Sequence, residues 1–412
     1  MTLFVTTLKG DEFMLRVIRI SLPGQWADGW LYKEHLILWS FTGEMHVLPM
    51  VELIRLIREQ APPSFAVAAD YAIFRNDWKG SEQFRRLRTM TEFTEALHWG
   101  FGGGEAPAGI VVDSCLPVPV PGDPVPGTLL DASLYANRVY LASTDGLFET
   151  RFDPDKPKYS HPLVRRLDHE VCAINAKYGV INASAGGQGL LFAPVSFDDT
   201  NWWRQDQDFV TIAERSFDNS FASFHVLNYT GDSYPALLRA ETRPGRSRER
   251  TEFQESQVTG YQPGTDIGKF VLAPIGGERT EVLGNSAHRL LLRRGDILQV
   301  VSISVSQEGE LTAKLDRRYG IRGEHEAPLS PVLRTHAVGA GFVLETADGI
   351  HLYTPGGSYQ LGTEQTATIR TFVNARRHQD TILIIEPDHI SLCGFLESAE
   401  DPTKPGVLAA TR

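Results

Sequence analysis

Seven times along this chain an apolar run leads into a tight turn and then a second apolar run. The copies cover 35–48, 138–150, 178–194, 223–240, 288–302, 341–354 and 380–395. In the second, RVYLASTDGLFET, the runs flank Asp145-Gly146; in the sixth, GFVLETADGIHLYT, they flank Asp348-Gly349. Such pairs supply the positive φ of a two-residue hairpin turn, and the β-branched and aromatic residues beside them suit pleated, half-buried strands. The other turns are expected at Thr42-Gly43, Gly186–Gly189, Thr230–Asp232, Gly295-Asp296 and Pro387-Asp388. A further apolar strand precedes several copies, at 129–134, 171–175 and 369–373.

The spacing narrows the fold. Between successive turn residues, Gly43, Gly146, Gly187, Gly231, Gly295, Gly349 and Asp388, the gaps are 103, 41, 44, 64, 54 and 39 residues. A four-stranded unit takes roughly 40–50 residues, so three gaps fit one unit and the wider ones fit a unit plus an insertion. A two-domain β-sandwich also contains hairpins, but it does not return to one phrase at this period. Length alone would suggest two or three domains for 412 residues, a rule that repeat proteins break.

On these copies the chain resembles the β-propeller superfamily over about four-fifths of its length. The segment 137–149, NRVYLASTDGLFE, is similar to the blade phrase of sensor-type propellers. Neither the Gly-His and Trp-Asp pairing of WD40 repeats nor a regular kelch motif is present. The resemblance implies an all-β fold: a single β-propeller, with seven blades the expected number, and a helical insertion after the first repeat. It also implies ring closure, with the strand at 15–21 completing the last blade and removing an open sheet edge. The expected organisation is 1–49 as N-terminal strand and first blade, 50–126 as helical insertion and Pro-rich connector, and 127–412 as the remaining blades.

Inside the insertion, MVELIRLIREQ at 50–60 reads as an amphipathic helix. Val51, Ile54 and Ile57 form its apolar stripe, Leu53 lies nearby, and Pro62-Pro63 stop it. A second helical pattern runs over 81–97 through Phe84, Leu87, Met90, Phe93 and Leu97, which Thr91 can break in two and Gly102–Gly104 end. The stretch LPVPVPGDPVPG at 116–127 favours extended polyproline II and reads as a stiff spacer. A second insertion, the Arg-rich segment 239–268, reads as a solvated loop. The helices read either as a cap on the ring or as a partner-binding appendage.

Net charge is −11, which disfavours nucleic acid and anionic lipid as partners. The three cysteines, Cys115, Cys172 and Cys393, lie far apart and form no CxxC pair, as expected of a reducing compartment. The N-terminus has no apolar core of a secretory signal, and no apolar run is long enough to cross a membrane, so a cytoplasmic protein is expected. Phosphate-loop, dinucleotide, zinc-protease and Gly-x-Ser-x-Gly signatures are all absent. His169-Glu170 and Glu324-His325-Glu326 read as exposed loops, and Asp198-Asp199 as adjacent carboxylates facing opposite ways. No cofactor and no metal are expected.

The function expected on these grounds is a non-catalytic protein-interaction scaffold, a component of a multiprotein assembly whose partner is another protein. The alternative is a hydrolase or lactonase-type enzyme with its site at the central channel, where residues far apart in sequence can meet. Candidate partner-binding residues are Trp78, Trp99, Trp202 and Trp203, as aromatic anchors, with Arg246 and Arg248 from the Arg-rich segment.

Overall fold

The structure is a computed structural model. It describes residues 16–396, apart from 102–108, 115, 157, 160–161, 196–208, 233, 244–256, 268–279, 287, 296, 306–310, 317–323, 327–329, 356 and 363–367. Seven sheets are present, each of four or five strands, and together they form a seven-bladed propeller. Every hairpin anticipated from the sequence is the second-to-third strand pair of one blade.

The innermost strands of blades 1 to 7 are Asp28–Tyr32, Leu129–Tyr135, Ala173–Lys177, Asp218–Ala222, Thr280–Ser286, Val332–Ala337 and Thr368–Thr371. Each touches the next, and the seventh touches the first, so they ring a central channel. Closure follows the expected route. Arg16–Pro23 pairs antiparallel with His389–Leu396 and supplies the fourth strand of blade 7, with Gly109–Val111 added parallel outside it.

Between neighbouring blades the apolar side chains gather into seven clusters, one for each interface. Ile37, Trp39 and Val47 of blade 1, for example, meet Ala132, Leu141 and Phe148 of blade 2. This is what alternation in a radial sheet demands: both faces of each blade are buried, so the middle strands are apolar on both sides. Ile382–Ile385 is buried at all four positions.

Turn chemistry differs from the sequence expectation in an instructive way. The pair flanking the blade 2 turn is Ser143 and Gly146, so Thr144-Asp145 form the turn and Gly146 opens the next strand. Gly146 holds φ +144°, and a Cβ there would lie 2.1 Å from the Leu167 carbonyl oxygen. Gly349 repeats this arrangement in blade 6, 2.2 Å from the Gly362 oxygen. These glycines therefore admit an outer strand rather than make the turn.

The insertion leaves blade 1 after its third strand. It comprises helices α1 (Met50–Gln60), α2 (Pro63–Ala69), α3 (Glu82–Leu87) and α4 (Thr91–Gly100), with a π-turn at 70–74 and a 3-10 turn at 76–80 between α2 and α3. Pro62-Pro63 end α1 as expected, but Pro63 also occupies the first turn of α2, where its missing N–H costs nothing. The buried side of α1 is Met50, Leu53, Leu56 and Ile57, and Val51 stands outside that stripe with 72% of its surface exposed. The Pro-rich connector is more than a spacer: Val118–Pro119 pairs with Met45–Pro49 as the outer strand of blade 1. The ends of 239–268 are likewise strand. Ala236–Arg243 pairs with Gln257–Asp266 in blade 4, which corrects the reading of that whole segment as a loop. Glu324–Glu326 is also a strand, paired with the third strand of blade 5.

Candidate functional site

Two places combine chemistry with access: the central channel and the outer side of the insertion.

The channel contains a register repeat. Asp28, Asp131 and Asp218 each stand four residues before the last residue of their innermost strand. Each accepts a hydrogen bond from the next backbone N–H, at 2.7 Å from Gly29, 2.9 Å from Ala132 and 2.7 Å from Asn219. Blade 3 carries Ala173 at this place. A carboxylate here caps a backbone donor at the start of the strand that lines the ring.

In blades 1 and 2 the carboxylates share one cation. Arg370, from the innermost strand of blade 7, donates through Nε (2.7 Å) and Nη2 (2.5 Å) to Asp28, and its Nη1 lies 2.5 Å from Asp131. Asp131 also accepts from the Ile174 backbone N–H at 2.6 Å, which ties in blade 3. Burial disfavours the guanidinium charge, but Asp28 and Asp131 outweigh it and hold Arg370 protonated well above the ordinary arginine range. This clamp bridges three blades at the seam where the ring closes.

Asp218 is different. Among the described residues it forms no ion pair, and water reaches it inside the channel. Its carboxyl is pushed up to about 6, chiefly by desolvation and further by the Asp131 charge. The Asn219 N–H and the charges of Arg334 and Arg370 act the other way. On blade 6, His336 is lowered by burial and stands 3.8 Å from Glu345, with neither facing atom hydrogen-bonded. At the opposite end of the innermost strands, Lys177 of blade 3 donates to Asn374 of blade 7 at 2.7 Å. These blades are not neighbours, so that bond spans the ring. No group of three or more histidine, cysteine, aspartate or glutamate side chains suited to a metal occurs among the described residues.

The insertion is joined to blade 7 by a buried polar network. Asn76 donates to the Ala72 carbonyl (2.8 Å) and accepts from the Asp380 backbone (2.8 Å). His378 and Thr381 both reach the Ile73 carbonyl, at 2.9 and 2.7 Å, and Lys79 pairs with Asp380 at 2.9 Å. Gly394 permits this approach, since a Cβ there would lie 2.5 Å from the Ala72 oxygen. The apolar core of the insertion is continuous with the cluster between blades 7 and 1.

Large apolar side chains are exposed along this segment. Of the ten large apolar side chains well exposed among the described residues, six lie within 50–119: Val51, Met90, Trp99, Val111, Leu116 and Val118. Beside Val51, a cleft of about 890 Å³ opens between blades 1 and 2, lined also by Lys33, His35, Asn137, Arg151 and Asp153.

The aromatic candidates separate in this setting. Trp99 is 48% exposed, next to His98, which meets the Arg16 guanidinium at 2.8 Å. Trp78 is half-buried against the insertion core, with the Arg75 guanidinium 4.0 Å from its ring. Trp202, Trp203, Arg246 and Arg248, and the Asp198-Asp199 pair, lie outside the described residues. Sequence reading missed Asp28, Asp131, Asp218 and Arg370, although an aspartate seven residues before the second strand of blades 1, 2 and 4 was visible in principle.

No protein-family model and no curated protein matches the chain. Among solved structures, the WD40 propeller domain of Doa1 is 10% identical with a TM-score of 0.44, the match covering 92% of each chain. The WD40 domain of Toxoplasma gondii coronin is 9% identical with a TM-score of 0.46, over 93% of this chain and 86% of that one. A candidate 6-phosphogluconolactonase from Bacteroides fragilis is 11% identical with a TM-score of 0.36, over 66% and 80%. Likenesses at this level carry no argument about partners or chemistry. The seven-bladed ring rests on the strand pairing of this chain.

Proposed function

We propose that this propeller is a protein-interaction scaffold whose partner contacts are made by the outer side of the helical insertion. The observation that carries this reading is the concentration of exposed large apolar side chains on 50–119, on a segment whose inner side is fixed to the ring by a buried core and a polar network. A segment needed only as a cap would be expected to turn polar residues outward. A rigid surface with exposed Trp and Met is instead what a hot spot uses, because little side-chain order is lost on binding. Trp99 is the proposed anchor, and Met90, which caps the N-terminus of the same helix, is a second exposed apolar residue of the insertion.

The test is affinity capture from the native host with the full chain, beside Trp99→Ser and Met90→Ser variants. Both side chains are exposed, so the variants are expected to fold normally. Deleting 50–126 is a poor control, because it removes the outer strand of blade 1 and uncovers the seam cluster. A protein recovered in stoichiometric amount by the parent and lost with Trp99→Ser supports the reading. Equal recovery by all three, or none by the parent, refutes it.

A further inference from the structure

We propose that the central channel binds a small organic monocation, a guanidinium or alkylammonium group, on the carboxylate of Asp218. The first ground is an internal precedent. Asp28 and Asp131 occupy the same register position as Asp218 and make the same bond to the next backbone N–H; both also meet the one guanidinium of Arg370, Asp28 through both oxygens and Asp131 through one, its other oxygen taking the Ile174 N–H. The chain itself therefore shows what this position binds. The second ground is that Asp218 has no such partner among the described residues, yet is open to water.

Charge sets the sign of the ligand. The groups acting on Asp218 are Asp131, Arg334 and Arg370, with Tyr229 and Cys172 beside it. Adding Asp28, which shares Arg370, the three aspartates face two arginines, a net charge of −1. Arg334 acts from beyond ion-pair distance and forms no hydrogen bond among the described residues. Glu345 next to His336, and Glu170 near Cys172, add to the negative side. An anion would deepen this imbalance and a monocation would cancel it. A divalent metal is disfavoured because it requires several oxygen ligands together, and no such group occurs among the described residues. Planar donors that satisfy a carboxylate side-on, as Arg370 does for Asp28, fit best.

The side chain of Asp218 also predicts pH dependence. Its carboxyl is pushed up to about 6, so a cation loses its counter-charge as pH falls through that value. This inference does not depend on the scaffold reading, since the insertion surface and the channel involve different residues.

The experiment titrates the full chain with methylguanidinium and with propylammonium, followed by calorimetry and ligand-observed NMR. Tetramethylammonium, which donates no hydrogen bond, serves as the control. The expected result is saturable binding of the first two near neutral pH, weakened about tenfold or more by Asp218→Asn and by lowering the pH to about 5. Asp218→Asn is isosteric and keeps the acceptor for the Asn219 N–H, and its melting profile shows whether it folds. Arg334→Met is expected to tighten binding by removing a competing cation. Binding by Asp218→Asn within about twofold of the parent, equal binding of tetramethylammonium, or no saturable binding of either probe by parent and Arg334→Met would overturn the proposal.

Discussion

Blades 1 and 2 on one side, and blade 4 on the other, place an aspartate at one register position and give it opposite fates. Asp28 and Asp131 are buried and joined by Arg370; Asp218 has the same backbone bond, no ion pair among the described residues, and contact with water. A repeat fold makes such positions equivalent in geometry, so the difference comes from what the neighbouring blade supplies. Where blade 7 sends Arg370 inward, the carboxylates become part of the seam. Where no arginine pairs with it among the described residues, the carboxylate lacks a counter-charge, and desolvation together with the Asp131 charge pushes its carboxyl up to about 6.

Removing the shared cation should have the largest effect. Arg370→Ala leaves two buried carboxylates uncompensated and is expected to cost about 3–5 kcal/mol in denaturant unfolding. Asp28→Asn, which leaves Asp131 to hold the guanidinium, should cost about 2–3 kcal/mol. The triple change Arg370→Met, Asp28→Asn, Asp131→Asn should return to within about 2 kcal/mol of the parent, because no charge is left buried alone. If it instead costs the sum of the single changes, the clamp is not a unit and the contrast with Asp218 fails.

The same substitution in blade 4 should act with opposite sign. The Asp218 carboxyl binds its proton more tightly folded than unfolded, so ionisation opposes folding. The parent is expected to lose stability as pH rises from about 4 to about 6, with no further change from this group above that. Asp218→Asn should therefore be more stable near neutral pH by roughly 1 kcal/mol, allowing for screening by channel water, and equal to the parent near pH 4. Melting curves of the two proteins across this range would measure the crossover. Smallest of all, Trp99→Ser should change stability by no more than about 0.5 kcal/mol, since its exposed side chain lies outside the buried core.

The second contrast, between ring and insertion, shows where sequence reading works. The second-to-third strand hairpins were all legible, because their strands alternate or run apolar and their turns carry Gly, Asp or Pro. The first-to-second strand turns were not. Lys33-Glu34 and Ala136-Asn137 all adopt positive φ without any glycine, held there by the pairing on either side. In the insertion the periodicity located α1, α3 and α4, but gave α1 a stripe that included Val51. The face a short helix buries is chosen by what packs on it, here α2 and the cluster between blades 7 and 1, and not by composition alone.

The sequence by itself determined the local units: seven hairpins, closure by the first strand, a helical interruption and the absence of short catalytic motifs. Those follow from turn chemistry and hydrophobic period, which act over a few residues. The tertiary structure alone decided that Arg370 meets Asp28 and Asp131, that Asp218 pairs with no cation among the described residues, and that the insertion shares its core with the seam. These contacts join residues up to 342 positions apart. They arise only once the ring has closed, because an ion pair or a buried interface depends on distance in space, and the spacing of residues along the chain does not encode that distance.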